Sequence, residues 1–75
     1  MKWEYLFVVA HWVNQEWHPR YLNGNEISNW KSSKQLYGFS NDLGNDGWEL
    51  TGTAYTDEGT GMGTVARLIF KRPKS

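Results

Sequence analysis

Leu43-Gly44-Asn45-Asp46-Gly47-Trp48-Glu49-Leu50 decides how the second half of the chain folds. An apolar residue, a Gly-Asn-Asp-Gly run and an apolar–acidic–apolar alternation read as a helix end, a tight turn and a strand start. Gly44 is expected just past the helix, where a left-handed backbone disfavours any Cβ. Asn45-Asp46-Gly47 then reverses the chain.

Upstream, Ser32-Ser33-Lys34-Gln35 has the pattern of a capping box, with Ser32 as N-cap and Gln35 reaching back to it. The spacing predicts a helix over 33–43 that buries Leu36, Phe39 and Leu43 on one face. Gly38 in its middle costs about 1 kcal/mol relative to Ala. Downstream, 48–57 and 63–72 read as the strands of a hairpin. Trp48, Leu50, Gly52 and Ala54 would share a face with Ala66, Leu68 and Phe70, the small residues leaving room for the helix. Setting Leu50 opposite Phe70 brings Glu49 to Lys71 as an ion pair and Trp48 to Arg72 as a cation–π contact.

Residues 2–13 are rich in Val and aromatics and read as a long first strand. Trp3, Tyr5, Phe7, Val9 and Val13 occupy odd positions, and Leu6, Val8, Ala10 and Trp12 even ones. A strand with one face in water would alternate with polar residues, so both faces of this one must be covered. The helix can cover one. The following segment or another subunit must cover the other. Residues 14–31 form a variable insertion, in which Asn23-Gly24 signals a hairpin of about 20–22 with 25–28. Pro19 confines any strand there to an edge, or to a start after the proline.

The 75 residues make a single domain, 1–75, with a small core and no Cys for disulfides or thiolate metal sites. Five Trp, four Tyr and three Phe are many for so small a core, so one or two face a ligand or another subunit. Eight basic residues balance eight acidic ones, which argues against nucleic acid as partner. The longest apolar run, Leu6–Ala10, is far below the ~20 residues of a membrane span. A soluble, cytoplasmic protein without a signal peptide is expected.

Lys2-Trp3-Glu4-Tyr5, Leu43-Gly44-x-x-Gly47-Trp48-Glu49-Leu50 and Leu68-Ile69-Phe70-Lys71-Arg72-Pro73 together resemble a family of small bacterial and phage domains, domain of unknown function 4177. The resemblance spans nearly the whole chain and implies a compact α+β unit of strand, helix and β-hairpin. It implies no chemistry and no site residue.

No catalytic constellation is recognisable. His11 and His18 stand outside any metal-ligand spacing, so neither a metal nor a cofactor is expected. His11 reads as a core or interface residue and His18, beside Pro19, as an exposed loop residue; nothing in the spacing pairs His18 with Ser28 as base and nucleophile. Gly59-x-Gly61-x-Gly63 precedes a strand instead of a helix and reads as a hairpin loop. Asp57-Glu58 reads as a solvated pair and Lys71-Arg72-Pro73-Lys74 as a frayed end. The candidate site is the aromatic–basic group Trp12, Trp17, His18, Arg20, Tyr21 and Trp30, where rings can stack on a planar ligand and Arg20 can hold a phosphate or carboxylate. The same group can equally be a lid over the sheet or a subunit interface.

The sequence therefore reads as α+β: a small antiparallel sheet of strand, inserted hairpin, helix and β-hairpin, with one helix packed on one face. The two-sided first strand predicts a homodimer or higher oligomer. The functional expectation is a non-enzymatic, self-associating binding module that sequesters a small planar anionic ligand such as a nucleotide. The alternative is a protein-interaction or inhibitory module with the Trp cluster as its hot spot.

Overall fold

The computed structural model describes residues 1–57 and 64–74. The chain runs β1 (Lys2–Val13), β2 (Glu16–Leu22), β3 (Asn25–Glu26), a 3₁₀ turn (Trp30–Ser32), α1 (Leu36–Asn45), β4 (Glu49–Asp57) and β5 (Thr64–Lys74). The strands form one antiparallel sheet in the order β3-β2-β1-β5-β4, so the architecture is α+β with the long first strand at its centre. The loop residues between β4 and β5, including Glu58 and all of the glycine triplet Gly59, Gly61 and Gly63, lie outside the described residues.

The even face of β1 carries the core. Val8 and Ala10 are buried with Leu36 of α1 and with Leu68 and Phe70 of β5, ringed by Leu6, Trp17, Leu22, Phe39, Leu43, Trp48 and Ala66. Burying an aliphatic or Phe side chain contributes about 1.5–3 kcal/mol, and here the cross-strand register gathers these residues under one helix. Leu6 pairs with Phe70 and Val8 with Leu68, and each pair shares a face.

The Leu43–Leu50 segment folds differently from its sequence reading. Gly44 is not past the helix end but inside it, since α1 runs to Asn45. Gly47 takes the left-handed position, with φ 90°. The Trp48 N–H donates to the Leu43 carbonyl at 2.9 Å, and the Gly47 N–H to the Gly44 carbonyl at 3.1 Å. That crossed pair is the Schellman motif, and Leu43 and Trp48, the residues at its two ends, both pack on the core. At the other end Gln35, not Ser32, is the N-cap: its side chain accepts from the Tyr37 N–H at 3.1 Å. Ser32 belongs to the preceding 3₁₀ turn.

Arg72 clamps this helix end to the sheet. Its guanidinium stacks 4.3 Å from the Trp48 ring, donates to Glu4, and reaches the carbonyl and carboxylate of Asp46 at 2.9 Å. The hydrogen bond to Glu4 is the main cause of a pKa raised above the ordinary arginine value, with Asp46 adding to it. Lys71 and Arg72 thus lie inside β5, which continues to Lys74, and are not part of a frayed end.

In the C-terminal hairpin the register sets Leu50 opposite Phe70 and Glu49 opposite Lys71 as the pattern implied, but the Lys71 ammonium lies over the Trp3 ring in place of the expected ion pair. A bulge then follows, so that Gly52 pairs with Ile69 and Ala54 with Arg67. Thr51 is the extra residue, and its hydroxyl donates to the Ile69 carbonyl at 3.0 Å. Gly52 and Ala54 consequently turn to the face away from α1 and make no room for it; a Cβ at Gly52 would meet nothing.

The insertion contributes two turns. Asn14 and Gln15 join β1 to β2 with φ of 53° and 65°. Asn23 and Gly24 join β2 to β3 with φ of 50° and 87°, the positive pair of a type I′ turn. Asn23 also hooks β1: its side chain accepts from the Phe7 N–H at 2.9 Å while its own N–H donates to the Phe7 carbonyl at 2.8 Å.

Two glycine substitutions separate these roles. Gly44→Ala should stabilise the domain by up to about 0.5–1 kcal/mol, because a glycine in the last turn of α1 is replaced where a Cβ meets no atom within 4 Å. Gly47→Ala should destabilise by about 1 kcal/mol or more through its positive φ. Urea unfolding measures both; equal destabilisation by the two would contradict the assignment.

Candidate functional site

The six residues of the expected site are divided between two faces. Trp12 and Trp17 pair across the β1–β2 hairpin on the core side, ring centroids 5.4 Å apart and nearly perpendicular. Trp17 packs on the core and Trp12 is 46% exposed.

Arg20, Tyr21 and Trp30 meet on the other side, together with His11. Pro19 has no N–H to give the β1–β2 ladder, and the register slips beside it: Val9 pairs with Tyr21 and Ala10 with Pro19. Arg20 is the extra residue of that bulge, which aims its side chain out of the alternation. The guanidinium carbon stands 4.8 Å from the Trp30 ring and 5.1 Å from the Tyr21 ring, and Nε donates to Glu26 at 2.8 Å. The His11 ring lies 5.7 Å from Trp30 and 6.3 Å from Tyr21. Trp30 is held over this group by its 3₁₀ turn, whose serine hydroxyls donate to the Asn29 and Trp30 carbonyls.

His18 is buried at 5% exposure, against the expectation of an exposed loop residue. It lies within β2, and the segment leading to α1 folds back over it. Nδ1 donates to the Ser33 carbonyl at 3.1 Å and Nε2 faces the Glu16 carboxylate at 3.1 Å. Both ring nitrogens are engaged with the protein itself. From Trp30 and Ser33, beside the two histidines, to Leu36 in the core, the chain passes round the edge of β2 from one face of the sheet to the other. Among the described residues no three His, Cys, Asp or Glu side chains converge as a metal site.

The face opposite α1 is closed at the Trp30 end and open along the rest. Val65, which pairs with His11, is buried. Phe7, Tyr5 and Trp3 follow on the same side of β1, and they are 51%, 51% and 39% exposed. Lys71 Nζ stands 4.2 Å over the Trp3 ring. None of these three belongs to the aromatic–basic group expected as the site, although the odd-position aromatic run of a strand with two apolar faces signals them.

No protein-family model, curated protein or solved structure matches the chain. The site is read from its own geometry.

The Arg20–Trp30 stack can be measured directly. A double-mutant cycle with Arg20→Ala and Trp30→Ala should give a coupling of about 0.5–1 kcal/mol in unfolding free energy. Strict additivity would mean that the two side chains do not act on each other.

Proposed function

We propose that this protein is a non-enzymatic, self-associating binding module, and that its association surface is the sheet face opposite α1. The observation that carries this reading is the run Trp3, Tyr5, Phe7: three large aromatics standing 39–51% exposed in a row on one face of the central strand. A contiguous apolar patch of this kind on a soluble domain marks an interaction surface. A second copy fits the patch because the surface is symmetric in chemistry, aromatic against aromatic. A core of this size without disulfides also gains most from association.

The Trp30–Arg20–Tyr21–His11 group reads best as a lid closing one end of that face. A planar anionic ligand such as a nucleotide would have to compete with Glu26 for Arg20 and enter between rings already stacked on the guanidinium. The aromatic–basic cluster is therefore assigned to holding the insertion against the sheet, and recognition to the open aromatic row.

Phe7→Glu tests this. It places a charge on the open face without removing a core side chain, so circular dichroism and melting should show a folded domain. Sedimentation should show the association weakened by about thirtyfold or more, the loss of a hot-spot aromatic. An unchanged assembly would exclude the face as its interface.

A further inference from the structure

We infer that this self-association has a second element: the outer edge of β4 pairs, antiparallel and across a two-fold axis, with β4 of another copy. The two edges of the sheet are treated very differently. The β3 edge is blunted, because β3 has two residues and the segment of Trp30 and Ser33 wraps the stretch of β2 beyond it. The β4 edge is nine residues long and contains no Lys, Arg or Pro. Its one irregularity, the bulge at Thr51, is near the start and is tied inward to Ile69. From Gly52 to Asp57 the register with β5 is unbroken, so every second N–H and C=O along that run points outward in the plane of the sheet.

The occupant follows from closure and from area. The other unpaired stretch among the described residues, Lys2–Leu6 of β1 beyond the end of β2, carries Lys2 and Glu4, which leaves β4 as the long edge without a lysine; used against itself across a two-fold axis, it ends in a closed pair and not a fibre. A register centred on Ala54 sets Gly52 opposite Thr56 and Thr51 opposite Asp57, and keeps the acids Glu49 and Asp57 from facing each other. The exposed parts of Trp3, Tyr5 and Phe7 amount to about 300 Å² per subunit, well under the ~800 Å² per partner of a standard stable interface. The aromatic face alone is thin. Face and edge used together, each isologous, generate a tetramer of dihedral symmetry.

The inference rests on the self-association reading only in that both require a second copy, and one experiment separates them. Thr53 and Ala54 are exposed, so Thr53→Lys, with Ala54→Lys as a second variant, charges the edge while leaving the core intact. Analytical ultracentrifugation is run on the wild type, Thr53→Lys, Phe7→Glu and the double variant, each checked for fold by circular dichroism. The expected masses are tetramer, dimer, dimer and monomer. If both lysine variants are folded and keep the wild-type mass, the edge inference is overturned and the face reading stands. If Phe7→Glu keeps the wild-type mass while the lysine variants halve it, the edge stands and the face reading falls. A monomeric wild type overturns both.

Discussion

α1 has ten residues, about 15 Å of helix, and lies against a sheet whose central strand β1 runs for twelve residues, about 40 Å. That mismatch governs the rest of the molecule. The helix covers Val8, Ala10, Leu68 and Phe70 on one face and nothing on the other. The insertion between β1 and α1 compensates for part of the deficit: its 3₁₀ turn sets Trp30 over His11, Tyr21 and Arg20 and closes the far end of the second face. Trp3, Tyr5 and Phe7 remain open. The same strand that nucleates the core therefore presents the surface from which we draw a function.

Two positively charged side chains do opposite work on β5. Arg72 points to the helix side, where Trp48, Glu4 and Asp46 hold it and it fastens the Schellman turn to the sheet. Lys71, one residue earlier, points to the open side and lies over Trp3. The period of two in a strand separates a structural cation from one that borders the open aromatic row. Exposed ion pairs contribute little individually, so the clamp depends on Arg72 meeting a ring and two carboxylates at once.

The C-terminal register was legible because Leu50, Phe70, Glu49, Lys71, Trp48 and Arg72 all favour the same alignment. Its continuation was not, since nothing in Thr51-Gly52-Thr53 distinguishes a bulge from a regular strand, and the bulge sends Gly52 and Ala54 to the opposite face. The helix end was readable as an event but its left-handed residue was misplaced by three: glycines stand at both 44 and 47, and it is Gly47 that turns left-handed, with Leu43 and Trp48 on either side of it packed on the core. The β1–β2 turn was hidden for a different reason. Gln15 adopts φ 65°, where glycine is the usual choice, so the strand through Pro19 left no turn signature and His18 read as a loop residue. The six residues of the candidate site lie on one stretch of sequence, and nothing in that stretch signals the bulge that divides them between two faces. The apolar odd face of β1 was visible from the start, and it is where the uncovered surface lies.

In the proposed assembly Tyr5 and Phe7 are covered by another copy of the chain. Solvent paramagnetic relaxation of their ring protons measures this at the side chains themselves. Self-association through this face shields the rings at high protein concentration and exposes them on dilution, while Val8 and Phe70 stay shielded throughout. Rings equally accessible at every concentration would contradict it.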